Sequence, residues 1–282
     1  MAEITAAQVK QLRDATGVAM MDCKKALVEA GGDFDGAVAV LRTKGGGKVD
    51  KLASRTANEG AIGTYVVEDG ATGAIIEVNC ETDFVARNED FRALVSELAR
   101  NAALGGASDL DAFLAAKTLN QDDKTVEDLV KEGVATLSEN IVVKRIALVG
   151  AQNGVIGSYV HSDGKKGALV VAEGANTEEA KEAARGVAMQ AVALRAPYLN
   201  RASVPAEVLE SEKAIYRTQA AEEGKPEAMQ DKIAEGRLGK YFKENTLVEQ
   251  AFIRDDKKSV EQIAKEVGVT IENFVRFEVG QA

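Results

Sequence analysis

The densest run of chemically capable side chains in this sequence is Cys80-Glu81-Thr82-Asp83-Phe84. Two carboxylates one residue apart, Glu81 and Asp83, suggest metal binding or acid–base work. A hydrolytic or transfer site needs a nucleophile, a base and a group that orients the base. The chain offers one His, His161, and two cysteines, Cys23 and Cys80, far apart in sequence. That inventory supports neither a nucleophile–His–acid set nor a zinc site built on several His. The carboxylates therefore read as surface and cap residues. No metal and no cofactor is expected, and the protein is expected not to be an enzyme. The other candidate is Gly45-Gly46-Gly47-Lys48. A phosphate loop needs Gly-x4-Gly-Lys-Ser/Thr so that backbone amides and the lysine meet the phosphates. Here Val49 follows the lysine and Arg42 stands where the first Gly belongs. The stretch Arg42–Arg55, with five basic residues and one acidic, reads instead as a flexible basic linker.

What remains is a recognition feature. Thr82 or Asp83 can cap a helix by accepting from its exposed amides, and Phe84 follows in the first turn. Two roles fit an aromatic there. It folds back onto the core, or it enters a pocket on a partner, as buried aromatic anchors do at many interfaces.

Composition narrows the partner. With 35 basic and 45 acidic residues the formal net charge is −10. Nucleic-acid binders usually show a basic domain or stripe, so no nucleic-acid partner is expected. No apolar run approaches the roughly 18 residues of a membrane span, so no membrane association is expected. The first residues, with Glu3 and no apolar core, do not read as a secretory signal. The sparse, unpaired cysteines fit a reducing compartment, so a cytoplasmic location is expected.

The elements that must carry Phe84 follow from periodicity. Near the N-terminus, Thr5 and Gln8 have capping-box spacing, and Ile4 and Val9 the spacing of a hydrophobic staple. That helix should end near Gly17. A second fits Asp22–Ala30, and a third Asp35 to about Thr43, stopped by the glycines. Beyond the linker the chain repeats itself. Gly60–Ala74 and Gly154–Ala168 are 94 residues apart and identical at nine of fifteen positions. Each reads as strand, Asp-Gly turn (Asp69-Gly70, Asp163-Gly164), strand. A helix follows each copy, with apolar faces Phe91, Leu94, Val95, Leu98, Ala102 and Ala180, Ala184, Val187, Ala188, Ala191, Val192. Further strands fit Ile141–Val149 and Asn273–Val279, and the clearest helix between the copies fits Asp123–Ser138. Residues 204–242 read as two charged helices joined at Glu223-Gly224-Lys225-Pro226, with a thin seam of Val208, Ile215, Met229 and Ile233. A hairpin with so thin a seam reads as a surface arm for a partner or as a purely structural insertion. The expected class is α+β: a three-helix module (1–52), a first core half (53–150), and a second (151–282) with the helical hairpin at about 204–242.

The copies part at one place. After its second strand, copy one continues Asn79-Cys80-Glu81-Thr82-Asp83-Phe84, and copy two Glu173-Gly174-Ala175-Asn176-Thr177-Glu178. Both are strand-to-helix junctions, and only the first has the aromatic.

Thr82-Asp83-Phe84-Val85-Ala86 matches the TDFVA signature of the elongation factor Ts family. Leu12–Leu27, LRDATGVAMMDCKKAL, resembles the family's N-terminal LRxxTGAGMMDCKKAL segment, with Val18 and Ala19 where the family usually has Ala and Gly. Phe274–Gly280, Gly236-Arg237 and Gly224-Lys225-Pro226 also agree, so the resemblance runs the length of the chain in order. It implies a guanine-nucleotide exchange factor for elongation factor Tu, acting in translation elongation. It implies that the N-terminal helices are similar to a ubiquitin-associated domain and dock on the partner's nucleotide-binding domain through Arg13, Met20 and Met21. It implies that Thr82, Asp83, Phe84 and Val85 form a wedge near the partner's magnesium site, and that the second half meets the partner's far domain, with His161 as the candidate there. The bland alternatives are that both methionines are core and that His161 is an inconsequential turn residue. The competing function is a ribosome- or RNA-associated binding protein without exchange activity, opposed by the net charge and favoured only by the basic linker.

Overall fold

The computed structural model describes residues 4–281 apart from 17, 19, 69 and 108. Gly17, Ala19 and Asp69, each named above, therefore lie outside the described residues, as do the side chains of Arg42 and of residues 44–51.

The N-terminal helices are α1 (Ala6–Thr16), α2 (Met20–Glu29) and α3 (Phe34–Leu52). The α1 start follows from its sequence. The Thr5 N–H donates to Gln8 Oε1 at 2.9 Å and the Gln8 N–H to Thr5 Oγ1 at 3.3 Å, closing the capping box. Val9, Leu12, Cys23, Ala26, Leu27 and Ala37 form a small separate core. Helix α2 starts two residues before the expected Asp22. The larger correction concerns α3. It does not stop at Gly45-Gly46-Gly47 but runs through them to Leu52, so a helix replaces the expected flexible linker. Glycine costs a helix about 1 kcal/mol per residue relative to alanine. Burial of Leu52 in the core of the following domain anchors the far end of α3 and offsets that local weakness.

Two three-stranded antiparallel sheets follow. Strands β1 (Glu59–Val66) and β2 (Thr72–Cys80) form a hairpin. After it come α4 (Asp83–Ala86), α5 (Glu89–Gly105), α6 (Leu110–Ala115), the short hairpin β3 (Lys117–Thr118) and β4 (Gln121–Thr125), α7 (Val126–Leu137) and β5 (Val142–Gly150), which pairs with β2. The expected helix over Asp123–Ser138 thus loses its first residues to β4. Thr125 caps α7 through a capping box with Asp128.

The second sheet is built from the hairpin β6 (Gly154–Val160) and β7 (Lys166–Gly174). Next come α8 (Glu178–Leu194), α9 (Ala206–Glu222), α10 (Glu227–Asn245), the short hairpin β8 (Ala251–Phe252) and β9 (Asp255–Ser259), α11 (Val260–Glu266) and β10 (Val269–Glu278), which pairs with β7. Helices α9 and α10 pack on each other around Ala220 and Ala234. Of the expected seam, Ile215 and Met229 are exposed and Val208 and Ile233 half-buried. The hairpin is tied instead by ion pairs, among them Arg217–Asp231 and Arg237–Glu223.

Strand alternation distributes the core. In β2, Ala74, Ile76, Val78 and Cys80 face α5 while Ile75 faces the other sheet. In β7, Ala168, Val170 and Ala172 face α8 while Leu169 and Val171 face the first sheet. The result is helix, sheet, sheet, helix. Each buried aliphatic side chain in the central layer contributes about 1.5–3 kcal/mol. The central contact is pseudo-symmetric. Ile62 and Ile156, and Ile75 and Leu169, are equivalent pairs 94 residues apart, and the Ser158 hydroxyl donates to that of its equivalent, Thr64, at 2.8 Å. Beside it, Arg145 pairs with Glu77 of its own sheet at 2.7 Å and reaches the second sheet, lying 4.2 Å from the centre of the Phe277 ring and donating to the Glu278 carbonyl.

The repeat extends past the hairpins, in a second register. Lys124, Thr125, Val126, Glu127, Lys131 and Glu132 recur as Lys258, Ser259, Val260, Glu261, Lys265 and Glu266, now 134 residues apart. Ion pairs Lys124–Glu132 and Lys131–Glu127 recur as Lys258–Glu266 and Lys265–Glu261. The change from 94 to 134 places an insertion of 40 residues in the second half, where α9 and α10 lie. None of the described helices is long and apolar enough to cross a membrane.

Candidate functional site

Strand β2 ends at Cys80 and the chain turns through Glu81 and Thr82 into α4. Thr82 takes extended backbone angles and caps α4, its Oγ1 accepting from the Val85 N–H at 3.3 Å. Asp83 sits in the first turn, where a carboxylate is favoured by the exposed amides, and pairs with Arg87 one turn on at 3.2 Å. Val85 is half-buried, packing on the first core, and Ala86 is buried. Phe84 points the other way and is 83% exposed. Of the two roles open to it in the sequence, burial in the core is thereby excluded for this chain on its own. An unpartnered aromatic at that exposure, on a turn whose other apolar residues face inward, is a surface feature that water alone does not favour.

The turn is held from outside. Glu139, between α7 and β5, accepts through Oε2 from the backbone N–H groups of Glu81 (3.1 Å) and Thr82 (3.0 Å), and through Oε1 from the Thr82 hydroxyl at 2.6 Å. Its neighbour Asn140 donates its N–H to Glu81 Oε1 at 2.7 Å. The Asn140 side-chain amide donates to the carbonyls of Arg55 (2.7 Å) and Ala53 (3.4 Å), just beyond α3. Sequence pattern alone does not reveal Glu139 and Asn140. The one available signal was a polar pair wedged between an apolar helix and an apolar strand.

The acidic pair is engaged by neighbouring groups of the protein itself. Glu81 is engaged by Asn140 and lies 3.5 Å from Arg55, and Asp83 is paired with Arg87. Among the described residues no group of three or more His, Cys, Asp or Glu is placed to hold a metal. Cys80 is no nucleophile either. Burial, helped by the nearby carboxylates Glu139 and Glu59, pushes its thiol up to about 12. Its Sγ donates to the Thr82 carbonyl at 3.3 Å. Burial likewise raises Cys23 above its ordinary value.

Arg13 is exposed near the end of α1, and Met20 (42% exposed) and Met21 (62%) open α2. The α1–α3 core is made without either methionine. His161 lies in the β6–β7 turn, exposed, its Nδ1 hydrogen-bonded to the Tyr159 hydroxyl at 3.0 Å. The second half has no counterpart to Phe84. There Thr177 caps α8 directly, and Glu178 stands at the position 94 residues after Phe84.

Comparison with known proteins gives the family. A family model described as "Elongation factor TS" matches residues 81–281, from the start of the α4 turn to the end of β10. The chain is 48% identical over 285 residues to elongation factor Ts of Clostridium tetani (strain Massachusetts / E88), covering 99% of this chain and 94% of that protein. It is 44% identical over 286 residues to elongation factor Ts of Clostridium botulinum (strain 657 / Type Ba4), covering 99% and 93%. Elongation factor Ts of Clostridium kluyveri is 42% identical over 285 residues, covering 99% and 93%. With matches of this extent around a capped turn that presents a bare phenylalanine, the chain belongs to the elongation factor Ts family.

Proposed function

We propose that this chain binds elongation factor Tu in its GDP-bound and nucleotide-free forms and drives GDP release by wedging the α4 turn beside the partner's magnesium and phosphate site. Membership of the family implies nucleotide exchange on elongation factor Tu in translation elongation. The observation that carries the finer reading is Phe84, 83% exposed on a turn otherwise packed and hydrogen-bonded. In this reading Asp83 and Phe84 are the effectors and Thr82 and Val85 shape the turn. Arg13, Met20 and Met21 dock the N-terminal helices on the partner's nucleotide-binding domain, and His161 meets its far domain.

The physics needs no contact with GDP. A GTPase holds its nucleotide through phosphate-cradling amides, a lysine and Mg²⁺, and the metal offsets much of the phosphate charge. A wedge that stabilises a partner conformation with those contacts spoiled lowers nucleotide affinity. By linkage the nucleotide lowers affinity for the factor in the same ratio. A thousandfold weakening needs about 4 kcal/mol of coupling. Seating one exposed phenylalanine in an apolar pocket supplies roughly 1.5–3 kcal/mol of that, and the wider interface supplies the rest. The test is release of labelled GDP from purified elongation factor Tu at substoichiometric amounts of this protein. Acceleration supports the proposal; release at the spontaneous rate overturns it.

A further inference from the structure

We infer that Glu139 and Asn140 are positioning residues that fix the aim of Phe84 and its register with helix α3; the inference rests on the wedge reading above. Helix α4 has four residues, Asp83–Ala86. A helix that short does not hold its own shape, because nucleation costs more than one turn of hydrogen bonds returns. The direction of Phe84 must therefore be set by bonds from elsewhere in the fold. Glu139 provides them, taking two backbone N–H groups and one hydroxyl from Glu81 and Thr82. The last of these is a relay. The Thr82 hydroxyl donates to the Glu139 carboxylate and accepts from the Val85 N–H, so each bond polarises the next. Bonds to a charged acceptor are the stronger kind.

Asn140 performs the complementary task. The last carbonyls of a helix and those just past it lack intrahelical partners. The Asn140 amide takes up the carbonyls of Ala53 and Arg55 where the chain leaves α3, while its own N–H holds Glu81. Two adjacent residues thus clamp the α4 turn with one side chain and the exit of α3 with the other. Ser138 immediately before them adopts a left-handed backbone, φ 61°, uncommon for a residue other than glycine. Helix α3 belongs to the module that carries Arg13, Met20 and Met21. The clamp makes the two partner-facing regions parts of one geometry.

The inference separates two kinetic effects. Glu139→Ala frees the turn, and the maximal rate of GDP release falls about tenfold while the half-saturating concentration stays within about twofold. Glu139→Gln recovers most of that rate, because its amide oxygen still accepts the two backbone N–H groups and its NH2 group donates to Thr82 Oγ1. Asn140→Ala loosens α3 from the turn, raising the half-saturating concentration about threefold or more with the maximal rate retained. A merely structural role would move both constants together in all three variants, in step with the thermal midpoint, and that outcome overturns the inference. Should Glu139→Ala fail to fold, Asn140→Ala decides: unchanged half-saturation overturns the inference. Wild-type protein and Phe84→Ala run alongside. No release by wild type sinks the functional reading, and full release by Phe84→Ala sinks the wedge. Full release by Glu139→Ala with Phe84→Ala crippled sinks only the positioning role.

Discussion

The two halves of the core share a sheet, a covering helix and a closing helix–strand unit, and differ where strand meets helix. In the second half β7 ends and Thr177 caps the long helix α8 at once. In the first, the separate turn α4 stands between β2 and α5 and displays Phe84. The scaffold is thus duplicated and the feature proposed to act on the partner is not. An activity belonging to the common scaffold would tolerate the loss of either junction. An activity belonging to the turn would be lost from one side alone. On the function proposed above, the wedge belongs to the first half, and the second half meets the partner's far domain without one.

That contrast depends on the scaffolds being equivalent, which the closest packing tests. Gly63 in β1 and Gly157 in β6 are equivalent positions under the crossing helices. A Cβ on Gly157 would fall on the backbone of Ala184, whereas one on Gly63 would meet the Val95 side chain and carbonyl. Gly157→Ala should lower stability by about 3 kcal/mol in urea unfolding, and Gly63→Ala by less, because the overlap at Gly63 is shallower and its nearest atom belongs to a side chain. Equal effects would mean that the helices do not sit as described.

The tie between the halves should be nearly as costly to cut. Arg145 pairs with Glu77, which is 1% exposed in its own sheet, and reaches Phe277 and the Glu278 carbonyl in the second. Arg145→Met leaves a buried carboxylate with, among the described residues, the Asn79 amide and the Gly280 N–H, and should cost about 3 kcal/mol by thermal or urea unfolding. A loss below about 0.5 kcal/mol would show that Arg145 neither holds the buried carboxylate nor ties the halves through Phe277 and Glu278.

Much of this was legible in advance. The repeat over the hairpins, the inward faces of α5 and α8 and the divergence at Phe84 were all in the sequence, because strand alternation and helical period are local. The second register of the repeat is hard to see in sequence, since β3, β4, β8 and β9 are two to five residues long and carry no apolar alternation. The run through Gly45-Gly46-Gly47 is not legible locally, because local propensity favours a break there, while burial of Leu52 is a tertiary effect. Whether Phe84 faced in or out could not be decided from a single helical turn. Glu139 and Asn140 were invisible for a related reason: their partners lie more than 50 residues away in sequence.

The smallest predicted effects compare the two capping boxes. Thr125 pairs with Asp128 before α7, and Ser259 with Gln262 before α11. Thr125→Ala and Ser259→Ala should each cost about 1 kcal/mol in urea unfolding at neutral pH. Acid should distinguish them. The Asp128 carboxyl is held below its ordinary 3.8, first by the Thr125 N–H and then by the Thr125 hydroxyl. Stability from such a lowered carboxyl is fully present above 3.8 and is lost as the pH falls from there through the lower folded-state value. Gln262 does not titrate. Amide exchange should therefore show the start of α7 loosening in acid ahead of the start of α11. Equal loosening would contradict the assignment.

The central claim is tested most directly by GDP release from elongation factor Tu with Phe84→Ala. The account predicts a maximal rate about thirtyfold lower, corresponding to the loss of roughly 2 kcal/mol from one buried aromatic anchor, with complex formation much less affected. A variant that releases GDP as fast as the unaltered protein would contradict it.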